Sequence, residues 1–223
     1  MRVWLRWALP LGLFLLCLGT QRGDSGMRGD LGHYAVRIGH GGPGDSGQSG
    51  NAGLYLGRGL VLTAAHVAGS SPLLVVAAGQ PLVAKILKAG TFETVDVTLL
   101  SIDPAVLSSS MRALPPLALC EQAAVPGQAV VVVDQRGRPA SSVIVSQFAL
   151  PASVPSNFAT VVEDGPTIGN SGSGVFDEVS GCLMGIISRK IEWTNHYEQI
   201  RRSLKYFIPA ADIRSFLGQD LQK

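Results

Sequence analysis

The sequence predicts an all-β protein of two β units of similar size, followed by a short C-terminal helix. Three observations carry this prediction. Of 223 residues, 46% are hydrophobic and 15% charged, which excludes a disordered polymer and allows one or two packed cores. Glycine supplies 27 residues and proline 13, an abundance of turn-makers that suits many short strands better than long helices. Short apolar or alternating runs recur between turn signals along most of the chain, as in β-sandwiches and β-barrels.

The first segment reads as an address. Arg2 and Arg6 precede an apolar run from Trp7 to Leu18, which Gly19, Thr20 and the polar stretch Gln21 to Asp30 follow. The run has 12 residues, short of the roughly 20 that a helix needs to cross a bilayer. Residues 1–20 are therefore expected to be a cleavable secretory signal and 21–30 a leader, with an uncleaved anchor as the weaker alternative. Lipid attachment at Cys17 is disfavoured because Leu16 stands where a small residue belongs. Export places the mature protein in a periplasm or outside the cell, with no stable membrane insertion after cleavage. Two Arg-Gly-Asp triplets, beginning at Arg22 and Arg28, are read as chance features of the leader.

Six strand-like runs follow, at Tyr34–Ile38, Gly53–Leu56, Leu60–Thr63, Leu73–Ala78, Leu82–Leu87 and Val97–Ile102, and they define a first unit over residues 31–107. Gly41 to Gly53 is rich in Gly and Ser but lacks the spacing and the Lys of a phosphate-cradling loop, so it reads as a surface loop. Residues 108–116, rich in Ser and Pro and without a strand pattern, are the natural linker. Six further runs lie at Ala129–Asp134, Ser142–Phe148, Phe158–Val162, Gly174–Phe176, Cys182–Ser188 and Leu204–Ile208, in a second unit over 117–223. After Pro209, the apolar residues Ile213, Phe216, Leu217 and Leu221 recur at helical spacing, with proline suited to the first turn. A short helix with both Asp212 and Arg214 is expected to pack on its own domain, with a membrane or a partner as the alternative.

The chain has 18 Lys and Arg against 16 Asp and Glu, and Arg2 and Arg6 account for the whole excess. A near-neutral body gives no electrostatic reason for a nucleic-acid partner. Arg189, Lys190, Arg201, Arg202 and Lys205 read as a solvated face, with a basic rim to a cleft as the alternative. Cys120 and Cys182 are the thiols left after signal removal, and the sequence leaves both the bonded and the free state open. His33, His40 and His196 are isolated from other ligand types, so neither a metal nor a cofactor is expected.

Three segments stand apart. Leu60 to Val67 is an apolar strand that delivers His66 into a turn among small residues. In Val95 to Leu100 an acid, Asp96, opens a strongly apolar strand, and a buried carboxylate requires partners. Thr167 to Phe176 places Ser171 between glycines just before a strand. Together they describe nucleophilic catalysis. A serine hydroxyl barely ionises near neutral pH, so a base must take its proton during attack. His66 is the candidate base and then the acid for the departing amine. Asp96 is the candidate acceptor for the other imidazole nitrogen, fixing its tautomer. Gly169 and Gly172 suit a tight turn in which the amides of Gly169 and Ser171 converge as an oxyanion hole.

Thr63-Ala64-Ala65-His66, Asp96-Val97-Thr98-Leu99-Leu100 and Gly169-Asn170-Ser171-Gly172-Ser173-Gly174 resemble the three motifs of the trypsin-like (chymotrypsin-clan) serine proteases, in that clan's order. The intervals of 30 and 75 residues look most like compact bacterial members, especially the protease domain of the Deg (high-temperature-requirement) family. The resemblance spans about residues 31–217. It implies two six-stranded antiparallel β-barrels packed face to face, with His66 and Asp96 from the first and Ser171 from the second lining the cleft between them. It also implies a peptide or protein substrate. Asn170 stands where zymogen-activated members carry an aspartate, so that activation is not expected. Val67 stands where animal members carry a cysteine, so their disulfide pattern does not carry over. The chain ends at Lys223 without a PDZ domain, so oligomeric chaperone behaviour is not expected, and the sequence leaves the oligomeric state open.

By the same resemblance, Ile187, Ser188 and Arg189 form the strand edge that pairs with substrate backbone, and the floor of the primary specificity pocket falls near Gly165. No acid occupies that position, although Asp164 adjoins it, so cleavage after Arg or Lys is not supported. A pocket for small or medium apolar side chains is the expectation. The glutamyl-endopeptidase pattern also resembles Gly-Asn-Ser-Gly-Ser, but Ile187 aligns where those enzymes use a histidine. The alternatives to an endopeptidase are a catalytically inactive peptide-binding scaffold and an esterase using the same three residues.

Overall fold

The computed structural model describes residues 30–41, 51–69, 72–150, 154, 160–165, 168–194 and 201–218. The expected signal, the leader up to residue 29, His196 and Leu221 lie outside the described residues. Twelve strands form two closed antiparallel barrels, the double barrel that the resemblance implies. The first consists of β1 (Ala35–His40), β2 (Asn51–Gly57), β3 (Leu60–Thr63), β4 (Leu73–Ala77), β5 (Gln80–Ala89) and β6 (Thr98–Ser101). Its order is β1-β2-β3-β6-β5-β4, closed by β4 on β1. The second consists of β7 (Ala129–Val133), β8 (Pro139–Val145), β9 (Val161–Glu163), β10 (Gly174–Asp177), β11 (Leu183–Thr194) and β12 (Arg201–Pro209). Its order is β10-β11-β12-β9-β8-β7, closed by β7 on β10.

Side-chain alternation explains the continuous apolar runs. In β7, Val130 and Val132 point into the second barrel with Ile144, Val175 and Phe207. Val131 and Val133, one residue out of phase, join a separate cluster with Leu54, Leu62 and Leu99 of the first barrel and with Phe176 and Ile186 of the second. A strand that serves two cores cannot alternate apolar with polar. The same division separates Val61 from Leu62 and Leu100 from Leu99 in the first barrel. Three cores result: one in each barrel and a shared one between them.

Short helices accompany the strands, among them α1 (Ala65–Ala68), α2 (Ser109–Ala113) and α3 (Ala210–Leu217). The stretch 108–116 thus contains a helical turn, capped by the Ser108 hydroxyl on the Met111 amide, and it sinks Met111 into the first barrel's core. In α3, Pro209 is the N-cap rather than a first-turn residue, Ile213 and Leu217 enter the shared core, and Gly218 ends the helix at a positive φ of 57°.

Strand boundaries shift by a few residues at most elements, and two of the differences matter. Phe148 belongs to a 3-10 turn (Gln147–Ala149), not to β8, and is 91% exposed. β11 and β12 run on beyond Ser188 and before Leu204 as a long polar hairpin that pairs Lys190 with Lys205 and Glu192 with Ser203. Cys120 and Cys182 are joined in a disulfide with their Cα atoms 5.1 Å apart. Among the described residues, no helix is long and apolar enough to cross a membrane.

Candidate active site

β3 ends at Thr63, and the chain turns at once into α1, which places His66 at the rim of the first barrel with its side chain 33% exposed. Asp96, just before β6, is 1% exposed. The His66 amide donates to Asp96 Oδ1 at 3.0 Å, and His66 Nδ1 lies 2.8 Å from Asp96 Oδ2. A carboxylate can only accept, so Nδ1 carries a proton, and Nε2 is the nitrogen left to act as a base. Burial pushes the Asp96 carboxyl upward, but hydrogen bonds from the His66 ring, the Ser188 hydroxyl and the His66 amide outweigh it and hold the group below the usual carboxylate range.

Ser188 reaches Asp96 because of a β-bulge. Ile187 pairs with Phe207 and Arg189 with the adjacent Tyr206, so Ser188 is the extra residue in β11. Its hydroxyl donates to Asp96 Oδ2 at 2.5 Å across the barrel boundary. Its carbonyl accepts the Ser171 hydroxyl at 3.1 Å. Ser188 therefore joins Ser171 to Asp96, and Asp96 joins it to His66. Among the described residues, no hydrogen bond links Ser171 directly to His66.

Ser171 sits in a turn held from both barrels. Its carbonyl accepts the Ala52 amide of β2 at 2.9 Å, while the Gly172 amide donates to Ile187 of β11 at 2.8 Å. Gly172 has φ 85°, and a Cβ there would stand 1.9 Å from the Ala52 carbonyl oxygen, so both conformation and space demand glycine. Gly169 is required for space alone, since a Cβ would lie 2.2 Å from Ser173 Oγ. Among the described residues, no acceptor is bonded to the amides of Gly169 and Ser171. The carbonyls of Ile168 and Gly169 both accept from Lys205 Nζ, the former at 2.8 Å.

The expected substrate-binding residues divide. Ser188 and Arg189 lie beyond the end of β10, which pairs through Gly174 with Ile186, so among the described residues no strand pairs with them on this edge of β11. Ile187 does not offer such an edge, contrary to expectation. Its amide donates to Ser173 and its carbonyl accepts from Gly172, both at 2.8 Å, and both groups are thereby consumed in holding the serine turn. Gly165 lies beside Ile168, whose amide donates to its carbonyl at 3.1 Å. The neighbouring Asp164 is committed to its own chain: it accepts the Ser203 hydroxyl at 2.6 Å and lies 3.5 Å from Lys190 Nζ and 3.6 Å from Lys205 Nζ.

Phe92, which carries no sequence signal, and Lys205 also shape the cleft. Phe92, from the loop before Asp96, meets the His66 ring edge-on at 5.5 Å and carries the Arg189 guanidinium 3.9 Å above its own ring. Lys205, read from the sequence as part of a solvated face, is 11% exposed. Burial pushes its ammonium below the usual lysine value, against the opposing pull of Asp164. A cavity of about 290 Å³ opens beside Asp96, lined by Phe92, Thr94, Arg189, Tyr206 and Asp212. A larger one, about 610 Å³, lies between Gly32, Arg37, Met111 and Arg136 and contains none of the expected site residues. Among the described residues, no cluster of three His, Cys, Asp or Glu could hold a metal ion.

Known proteins bear on this geometry. A model of the trypsin-like peptidase domain matches residues 50–186, more than half of the chain. Among solved structures, the inactive form of a serine-to-alanine mutant of Rv3671c from M. tuberculosis is 18% identical, with a TM-score of 0.60 over 88% of this chain and 90% of that one. Kallikrein-related peptidase 10 is 20% identical, with a TM-score of 0.63 over 87% and 98%. The MamO protease domain of Magnetospirillum magneticum is 21% identical, with a TM-score of 0.53 over 83% and 96%. These identities speak for the fold alone. None of the curated proteins matches the chain.

Proposed function

Because the chain belongs to the trypsin-like peptidase family, we propose that it is an endopeptidase that cleaves peptide bonds of peptide or protein substrates through an acyl-enzyme on Ser171. The observation that carries this reading is the hold of the buried Asp96 carboxylate on the His66 amide and ring, which leaves Nε2 as the base, with the Ser188 hydroxyl bringing the strand beside Ser171 onto the same carboxylate. Each of these residues has a task. The Ser171 hydroxyl leaves the Ser188 carbonyl by a rotation about χ1 and donates to His66 Nε2. As its oxygen attacks the substrate carbonyl carbon, Nε2 takes the proton, and Asp96 stabilises the resulting imidazolium. The carbonyl electrons move onto oxygen, which the amides of Gly169 and Ser171 receive. The imidazolium then protonates the leaving amine as the C–N bond breaks. Water repeats the sequence on the ester, returning the proton to Ser171.

Arg189 and the Ser188 carbonyl lie on the edge of β11 beyond the end of β10 and suit backbone pairing with an extended substrate. The primary pocket, near Gly165, takes small or medium apolar side chains in this reading. Support comes from Asp164, whose charge is already matched by Lys190 and Lys205 and so does not select basic residues. Export to a periplasm or beyond the cell, after removal of residues 1–20, belongs to the same proposal.

A second reading has one observation in its favour: the Ser171 hydroxyl rests on Ser188 and not on His66, as in a scaffold that binds peptides without cleaving them. One experiment separates the two. Purified protein is treated with a fluorophosphonate and, in parallel, incubated with a denatured protein whose fragments are identified by mass spectrometry. The wild type is expected to take the label on Ser171 and to cut after small apolar residues. Ser171→Ala is expected to lose the label and about 10⁶-fold in turnover. An unlabelled wild type that still binds peptides establishes the scaffold, and dominant cuts after basic or acidic residues overturn the apolar pocket.

A further inference from the structure

Lys205 has no part in the chemistry described so far, yet it is directed at the segment that supplies the proposed oxyanion hole. It lies on β12 between two partner strands, paired with Lys190 of β11 and with Val162 of β9, so its backbone is fixed on both sides. Leu204 and Tyr206, its neighbours, turn into the shared core, and Lys205 points to the opposite face. There its ammonium meets three acceptors: the carbonyls of Ile168 and Gly169 and the Asp164 carboxylate, 3.6 Å away. Asp164 is itself held by Ser203, two residues back on the same strand.

We propose that Lys205 is a positioning residue that sets the oxyanion hole by fixing the two peptide planes on either side of Gly169. This rests on the endopeptidase reading above. A trans peptide is planar, and its C=O and N–H point in opposite directions. The Ile168 carbonyl and the Gly169 amide belong to one such plane. A cation that holds this carbonyl therefore aims the Gly169 N–H away from Lys205, and that amide has no acceptor among the described residues. The second bond, to the Gly169 carbonyl, fixes the next plane. Glycine has the freedom to turn both planes over, and space forbids any other residue at that position, so the restraint must come from outside.

A rival role for a buried lysine near a specificity pocket is to bind an acidic substrate side chain. The surroundings argue against it: two carbonyls already accept from the ammonium, and the Asp164 carboxylate 3.6 Å away matches its charge, so an acidic substrate side chain would meet a cation already balanced. Lys190, 49% exposed and paired with Glu192 at 2.7 Å, belongs to the rim and does not reach these carbonyls.

The test compares wild type, Lys205→Met, Lys205→Arg and the double variant Lys205→Met with Asp164→Asn. Each is assayed on a chromogenic peptide amide, with a peptide boronic acid and with the corresponding product peptide. An oxyanion is bound in the transition state and not in the ground state, so Lys205→Met should lose about 10²-fold in kcat with KM nearly unchanged. The boronic acid, which forms a tetrahedral adduct on serine, should weaken by a similar factor, while the product peptide binds as before. Lys205→Arg, which keeps donors within reach of both carbonyls, should recover part of the rate.

The double variant covers the case in which Lys205→Met fails to fold because Asp164 is left without its cation. It removes both charges and should fold with the same loss of kcat. Wild-type kcat in any folded variant without a donor at 205, or a loss confined to KM, overturns the proposal. So does failure of every such variant to fold, since Lys205 would then serve the fold and not the site. A wild type that takes no fluorophosphonate label overturns the endopeptidase reading itself. Unaltered variants of a labelled wild type overturn the role of Lys205 alone.

Discussion

Asp96 accepts from the His66 amide, the His66 ring and the Ser188 hydroxyl, and the two residues that supply these donors lie 30 and 92 positions away. His66, Asp96 and Ser171 are legible in the sequence because their chemistry is demanding: a base, an acid in an apolar setting and a glycine-flanked hydroxyl rarely coincide without cause. Ser188 is legible as a site residue but not in this role, which exists because the ladder skips one residue between Ile187 and Arg189. Lys205 is legible only as one member of a basic group, solvated or at the rim of a cleft; its turn toward the serine segment is not, since a lysine among alternating residues shows nothing of the partners of its ammonium.

The Ser188–Asp96 contact carries a prediction. A carboxyl lowered by its surroundings stabilises the fold fully above the pKa of the unfolded aspartate, and that contribution is lost as pH falls through the folded value. Ser188→Ala removes one of the bonds that lower Asp96, so the folded value rises; the loss begins at the unfolded value in both proteins and is complete at a higher pH in the variant. The variant should be less stable at neutral pH by about 1.5–3 kcal/mol, as for a hydrogen bond to a charged group. Urea unfolding of both proteins across the acid range should show curves that converge as Asp96 is protonated. Curves that stay parallel would mean that the hydroxyl does not hold the carboxylate.

At the scale of elements, strands such as β4 and β7 are legible because burial on two faces writes apolar runs into the chain, and β5 because its buried residues Leu82 and Ala84 alternate with exposed ones. The outer arm of the β11–β12 hairpin is not, because it is built on backbone pairing and carries Lys190, Glu192 and Ser203 where apolar residues would be sought. Turn chemistry is legible in part. The β2–β3 connection, Arg58-Gly59, has φ 54° and 79°, and the β4–β5 connection, Ala78-Gly79, has φ 48° and 82°. Two consecutive positive values match the right-handed twist of the strands, and the preferred first residue of such a turn is Asn or Asp. Ala78 has no side-chain means of supporting that conformation, which costs an L-residue about 1–2 kcal/mol. Ala78 is exposed, so Ala78→Asn changes the turn without disturbing a core. It should stabilise the protein by about 1 kcal/mol and raise Tm by about 2–4 °C in thermal unfolding, with kcat unaltered. A lowered Tm would mean that the turn is held by something other than local preference.

At the scale of the whole molecule, the proposed site exists only where the barrels meet. His66 and Asp96 come from the first and Ser171 and Ser188 from the second, and the shared core of Leu54, Leu62, Leu99, Phe176 and Ile186 keeps them in register. Gly172 is a point where the two barrels approach closely. Substituting alanine there meets two penalties: a side chain at φ 85°, and a Cβ 1.9 Å from the Ala52 carbonyl, a backbone atom fixed within β2. Relief requires the serine turn to withdraw from β2, which breaks the Ala52–Ser171 bond and moves the nucleophile away from His66. Gly79 offers a matched control, because its φ is 82° and a Cβ there meets nothing within 4 Å. Gly79→Ala should therefore cost about 1–2 kcal/mol of backbone strain and leave turnover intact. Gly172→Ala should cost more than about 4 kcal/mol, the range reserved for a disrupted core, and abolish turnover. Denaturant unfolding and kcat of the two variants together separate the strain of the conformation from the energy of the inter-barrel contact. Equal losses in both would place the serine turn under local control and detach the site from the packing of the barrels.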